Sequence, residues 1–212
     1  KKNESLAKSY YKLAMLELSD LSTNQDESKH AYKKALSYIN QAIDQQKHPR
    51  YLAFKATLLF ELGREKESFA FFDLALQACT DQQLKTEILN NYACLCAQHG
   101  KEKKALQIWN DLEKNESYLT PEVALVNQGK YYVNKDDLDK AHELFLKASN
   151  VNPSYLDAHF YCALVAYKRN DLFLARDKLT TVLLLEPKHK GAEQFSVHIE
   201  NLLSQKSLNT LL

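Results

Sequence analysis

Cys94-Leu95-Cys96, followed by His99, is the densest set of metal-ligating side chains in the sequence. A step of two residues along a helix turns about 200°, so the two thiols point apart and cannot share one tetrahedral zinc ion. Cys96 and Cys162 fall on apolar helix faces, where a free cysteine behaves as a small hydrophobe. Cys79 follows the end of a helical stretch and reads as exposed, which makes it the most accessible thiol, but no basic residue adjoins it and it is given no role. The seven histidines, His30, His48, His99, His142, His159, His189 and His198, are scattered without an H-E-x-x-H or comparable ligand spacing. No glycine-rich phosphate loop and no G-x-S-x-G elbow is found. The Asp136-Asp137 pair reads as a turn and helix cap, and the lysine pairs Lys33-Lys34 and Lys103-Lys104 as outer helix faces that confer solubility. The chain therefore offers no catalytic, cofactor-binding or metal-binding residues, and an enzyme is not expected.

The elements that carry these residues are helices. The 212 residues include only four glycines and four prolines, and Ala, Leu, Lys and Gln are abundant. Twenty-eight basic against 27 acidic side chains leave a formal charge of +1, too little to draw the chain to nucleic acid or anionic lipid. No window supplies the ~18 continuous apolar residues of a membrane span. The N-terminal residues 1–5 lack the apolar core and small-residue cleavage site of a signal peptide, although a chain trimmed of its leader would look the same.

Self-similarity sets the organisation. Pro153 recurs as Pro187 and Ala141 as Ala175, both 34 residues apart, the period of the tetratricopeptide repeat (TPR), a pair of antiparallel helices with small residues at the close crossing. The best fit runs from Pro121 to Pro153, with Leu125, Gly129 and Tyr132 on the first helix, Ala141, Phe145 and Ala148 on the second, and Gly129 with Ala141 as the close-approach pair. His159, Cys162, Ala163 and Ala166 followed by Ala175, Leu179 and Val182 repeat it. Upstream, Tyr92, Ala93 and Cys96 pair with Ala105, Trp109 and Leu112 around Gly100, and Leu52, Ala56 and Leu59 with Ser68, Phe72 and Ala75 around Gly63. The first repeat places Tyr10, Leu13 and Ala14 opposite Ala35, Ile39 and Ala42, and its polar stretch 19–28 reads as an extended first helix or a loop. Phe195, Ile199, Leu202 and Leu203 mark a capping helix, and the tail 207–212 is expected to be frayed or docked by its leucines. The expected architecture is an all-α, right-handed TPR solenoid forming one domain, with repeats at 6–48, 49–82, 84–118, 121–154 and 155–188 and a cap at 190–205.

Stacked TPRs present their first helices on a concave groove. Counting from the anchors, the groove is expected to contain Tyr11, Met15, Phe54, Phe60, Asn90, Asn91, Asn127, Lys130, Phe160, Tyr161 and Tyr167. Aromatic rings and amides suit an extended protein segment, the rings giving area and the amides satisfying a peptide backbone. In repeats two to five, Asn91 and Asn127 are expected to meet the partner's backbone and Tyr161 and Tyr167 its side chains. A clamp for a terminal carboxylate is disfavoured, because its positions hold Asn90, Cys94, Asn127, Asp157 and Tyr161, without cations.

The run Asn90-Asn91-Tyr92, followed by Tyr118-Leu-Thr-Pro-Glu122 and Asn127-Gln-Gly129, resembles the PilW/PilF family of type IV pilus biogenesis lipoproteins over residues 50–187. Ala93 stands where that family has glycine, and the first repeat carries an insertion. The Tyr118-to-Asn127 segment is taken as a feature that helix packing alone does not demand. The resemblance implies a pilotin on the periplasmic face of the outer membrane, which helps a secretin subunit to multimerise. It also implies an N-terminal lipid anchor, which is absent from this chain. A periplasmic location requires the four cysteines to be buried or paired. The alternatives are a cytoplasmic TPR adaptor of the co-chaperone kind and the TPR regulatory portion of a longer enzyme.

Overall fold

Asparagine, aspartate and proline mark where the helices begin. The computed structural model describes residues 3–19, 21 and 23–210, with side chains through Lys206. Among these residues there are eleven α-helices and no strand. They are α1 (Glu4–Leu16), α2 (Gln25–Gln45), α3 (Pro49–Glu61), α4 (Glu65–Ala78), α5 (Gln82–Gln98), α6 (Glu102–Glu113), α7 (Pro121–Asn134), α8 (Leu138–Val151), α9 (Leu156–Lys168), α10 (Leu172–Leu185) and α11 (Lys190–Thr210). Asn3, Asn24, Asp81, Asp137 and Asp171 each accept a backbone N–H of the helix they open. Pro49 and Pro121 occupy first-turn positions where a missing N–H costs nothing.

The turns inside the repeats share one geometry. Gly63, Gly100, Asp136 and Asn170 all have left-handed φ, between 60° and 75°. The next residue's N–H reaches back five positions in every case, as in Arg64 to the Leu59 carbonyl (2.8 Å) and Asp171 to the Ala166 carbonyl (2.9 Å). This is the Schellman closure, which satisfies carbonyls that the helix end leaves over.

Contacts cluster into two compact units, Lys1–Ile108 and Trp109–Leu212. In the first, α1 and α2 enclose Ala7, Ala14, Ala35, Ile39 and Ala42, which pack on Tyr51 and Leu58 of α3. Leu13 is exposed; Ala7, one heptad before Ala14, takes the inward position instead. Within the polar stretch of the first repeat, Asn24 caps the 21-residue α2 and residues 25–28 form its first turn, while residues 20 and 22 lie outside the described residues. In the second unit, Leu125, Phe145, Ala148 and Cys162 form one core, and Ala163, Ala175, Leu179 and Val182 form another that Ala192, Ile199 and Leu203 of α11 close over. The C-terminal helix thus caps the last pair, as a terminal repeat requires. Its backbone stays helical through Thr210, beyond the expected end; the expected docking of the tail leucines lies outside the described residues.

Gly129 makes a close approach to Phe145 of α8. A Cβ at Gly129 would sit 2.5 Å from Phe145 Cε1.

Candidate functional site

In the first unit, the first helices of successive pairs bring Tyr11 of α1, Phe54 of α3 and Asn91 of α5 around one concavity of about 100 Å³. Tyr11 packs 5.1 Å from the Tyr51 ring and edge-on to Phe54 at 5.4 Å. Arg50 and Glu87 pair at 3.3 Å between α3 and α5. Both residues also line a neighbouring opening of about 570 Å³ that contains Lys8, His48 and Gln83. Burial raises the Tyr11 phenol above its ordinary range, with Arg50 acting in the opposite direction, so the hydroxyl remains a donor. The sequence reading found Tyr11, Phe54 and Asn91 but missed Arg50 and Glu87, which are 37 residues apart with opposite charges and have no shared motif.

Three expected groove residues of this unit lie elsewhere. Asn90 is buried at 4% exposure, whereas Asn91 is exposed. Consecutive helix residues point about 100° apart, so the two cannot both face a groove. Phe60 stands edge-on to His99 at 4.2 Å, near the turn, and Met15 is exposed on α1 but lines neither concavity.

In the second unit, α7 and α9 assemble a more compact group. Lys130 Nζ lies 4.2 Å from the Tyr161 ring centroid and 3.8 Å from Asp157 Oδ2. Tyr161 is stacked on Phe145 at 5.6 Å, which fixes the ring from below, and Asn127 is half-buried one turn before Lys130. Phe160 turns instead toward His189, at 5.1 Å, and Tyr167 sits edge-on to Phe195 with its hydroxyl 3.1 Å from His198 Nε2. This face thus offers a cation held over a ring, a carboxylate, an amide and partly open aromatic surface, which is chemistry for holding a peptide.

The thiols are packing groups. Cys79, expected to be accessible, is 8% exposed, and its Sγ donates to the Asp81 carbonyl at 3.3 Å. The sulfur is covered because the chain turns there into the cap of α5. Burial raises the Cys79 thiol above its ordinary range. Cys162 Sγ lies 3.9 Å from His142 Nδ1, a pairing that a 20-residue separation hid from the sequence reading. Burial pushes that thiol up to about 11 and lowers His142, so neither the thiolate nor the imidazolium of an activated pair is favoured. Among the described residues, no group of three His, Cys, Asp or Glu side chains is placed to hold a metal.

Two further expectations are corrected by packing. Lys104 does more than solubilise: its Nζ donates to the Tyr92 hydroxyl at 2.6 Å, which ties α6 to α5. The segment from Tyr118 to Asn127 does serve packing, because Tyr118 is buried and the buried Glu122 accepts from Asn152 Nδ2 at 2.8 Å.

A family model described as tetratricopeptide repeat matches residues 126–184, the stretch that holds most of α7 through α10. The fold is that of a tetratricopeptide-repeat solenoid, and residues 126–184 carry the repeat in sequence as well. The chain is thus a scaffold for protein–protein interaction, and TPR folds are generally non-catalytic. No curated protein matches it by sequence. Among solved structures it is similar to PilW, described as a widely conserved type IV pilus biogenesis factor, with 18% identity over 94% of this chain and 92% of that one and a TM-score of 0.63. It is also similar to PilF of Pseudomonas aeruginosa, at 15% identity over 96% of this chain and 87% of that one, with a TM-score of 0.67. A thermophilic TPR protein of Thermus thermophilus gives 15% identity, 91% and 98% coverage and a TM-score of 0.65. At these identities the likeness is one of fold. Among the described residues, no helix is long and apolar enough to cross a membrane.

Proposed function

We propose that this TPR scaffold serves type IV pilus biogenesis at the periplasmic face of the outer membrane, where it holds a segment of a secretin-like partner during secretin assembly and catalyses no reaction itself. The observation that carries this reading is the near end-to-end correspondence with the pilus biogenesis factor PilW, which spans 94% of this chain and 92% of that one. The Asn90-Asn91-Tyr92 and Asn127-Gln-Gly129 runs add support from the sequence. The burial of Cys79, Cys96 and Cys162 is compatible with an oxidising compartment, since covered thiols exchange poorly.

In this reading, Asn127 hydrogen-bonds the partner's backbone while Tyr161 and Tyr167 contact its side chains. The face of Tyr11, Phe54 and Asn91 in the first unit offers the same kind of chemistry. Capture from a bacterial envelope extract with the purified chain, read by mass spectrometry, tests the assignment. Enrichment of a secretin or another pilus component is the expected result. Recovery of cytosolic proteins alone would overturn the assignment.

A further inference from the structure

Histidine is an unusual helix cap, and it is the one side chain whose acceptor ordinarily titrates near neutral pH. His48 Nδ1 accepts the Arg50 N–H at 3.2 Å and so opens α3. An accepting Nδ1 requires the neutral imidazole, with its proton on Nε2. Arg50 N–H lies in the first turn, where a helix has no carbonyl of its own to offer. The His48 carbonyl is taken by Tyr51 N–H at 3.0 Å and by Leu52 N–H at 3.2 Å. At α11, by contrast, Ala192 N–H meets both His189 Nδ1 and the His189 carbonyl, each at 3.0 Å, so it keeps a partner whatever the charge of that ring.

The His48 ring packs 5.2 Å from the Tyr51 ring and borders the opening of about 570 Å³ in the first unit. The titratable and charged groups that line this opening with it are Glu4, Lys8 and Tyr11 of α1, Arg50 and Tyr51 of α3, Asp81 at the cap of α5 and Glu87 within it. Lys47 adjoins His48 in sequence. Each acid already has another partner: Glu4 meets Lys8 at 2.7 Å, Glu87 meets Arg50 at 3.3 Å, and Asp81 accepts the Leu84 N–H at 2.7 Å. Burial first and the Arg50 guanidinium second hold the His48 imidazole below its ordinary range, with Glu4 acting in the opposite direction and Lys8 adding to the lowering. Arg50 therefore joins two contacts, its backbone N–H on His48 and its guanidinium on Glu87, and both Arg50 and Glu87 border the concavity of Tyr11, Phe54 and Asn91.

We infer that His48 is an acid-sensitive latch: its neutral ring fixes the first turn of α3 and so holds Arg50 across to Glu87, and its protonation releases that turn and loosens the ion pair at the edge of the concavity. The imidazolium has no lone pair for Arg50 N–H, repels the guanidinium two residues on and stands at the positive end of the α3 dipole. In the unfolded chain a histidine titrates near pH 6.5, above the folded value, so the cap contributes fully above about pH 6.5 and is lost as the pH falls through the folded midpoint. The latch does not depend on which partner the face holds.

The test is an NMR titration of the full chain from about pH 8 to about pH 5.5, read at the His48 ring, the Arg50 amide and the Glu87 carboxylate carbon. The three signals are expected to move with one midpoint, below the value of about 6.5 for an unfolded histidine. On the acid side of that midpoint the Arg50 amide should exchange with water about fivefold faster relative to its unstructured rate, the scale of losing a helix N-cap. His48→Asn keeps a capping side chain that does not titrate, so it should remove the response at Arg50 and the shared midpoint at Glu87 while neutral-pH circular dichroism stays unchanged. His48→Ala should show the released state at every pH, with fast Arg50 exchange throughout. A His48 midpoint at or above the unfolded value, an Arg50 amide that ignores that midpoint, or the same acid response in His48→Asn would overturn the inference. So would a Glu87 signal that stays still while Arg50 responds, since the cap would then hold no latch.

Discussion

Trp109 is the largest side chain buried to about 2% exposure, and its indole packs 6.1 Å from the Tyr131 ring. Trp109→Ala should therefore cost ~3–5 kcal/mol in a denaturant titration, the range for removing a large buried aromatic. A loss below about 1 kcal/mol would contradict its role in packing. Gly129 is required for space rather than for backbone freedom, because any Cβ there meets the Phe145 ring. Gly129→Ala should cost about 1–3 kcal/mol despite alanine's better helix propensity, and Phe145→Leu in the same chain should recover part of that loss. The thiols give a third test at this scale. A maleimide under native conditions should label the half-buried Cys94 first and leave Cys79, Cys96 and Cys162 protected until unfolding. Labelling of Cys79 at a similar rate would contradict its burial. Single-residue placement was the least legible part of the sequence. A helix rotates about 100° per residue, so counting groove positions across turns set 37, 36 and 34 residues apart left Asn90 and Asn91 undistinguished, and only packing separates them.

At the scale of elements, most helices were legible, because each repeat carries small residues at fixed spacing, and Ala56, Ala93, Ala105, Ala141 and Ala175 are indeed buried. The first pair was less so. Its connection is polar with no glycine, and nothing in composition shows that residues 25–28 join α2 until Asn24 is seen capping it. The four Schellman turns were half visible, as Gly63 and Gly100, while Asp136 and Asn170 fill the same left-handed position at a steric cost. Asp136→Gly should therefore stabilise the chain by about 0.5–1 kcal/mol, and Gly100→Ala should destabilise it by about 1–2 kcal/mol, both read as shifts in the urea midpoint. The space around Gly100 is open, so the second effect isolates backbone strain from crowding.

For the whole molecule, repeats at a 34-residue period told the fold, since each helix pair can bury its apolar face only against a neighbour, and the cap α11 follows from the same need. Polar contacts that join distant parts of the sequence stayed hidden. Arg50 with Glu87, Lys104 with Tyr92 and Glu122 with Asn152 are pairings that no periodicity encodes. A scaffold's function rests on such surface detail more than on its core, which is why the partner-binding face must be tested directly. The most direct measurement is quantitative capture of the envelope partner by the wild-type chain beside an Asn127→Ala, Tyr161→Ala double variant, with thermal melts of both. Roughly tenfold weaker capture by the variant is expected, the scale of losing one or two interface contacts, at a temperature where the melts show both chains folded, since loss of the Tyr161 ring from Phe145 lowers the melting temperature. Equal capture by the two chains would contradict the claim that the face formed by α7 and α9 holds the partner.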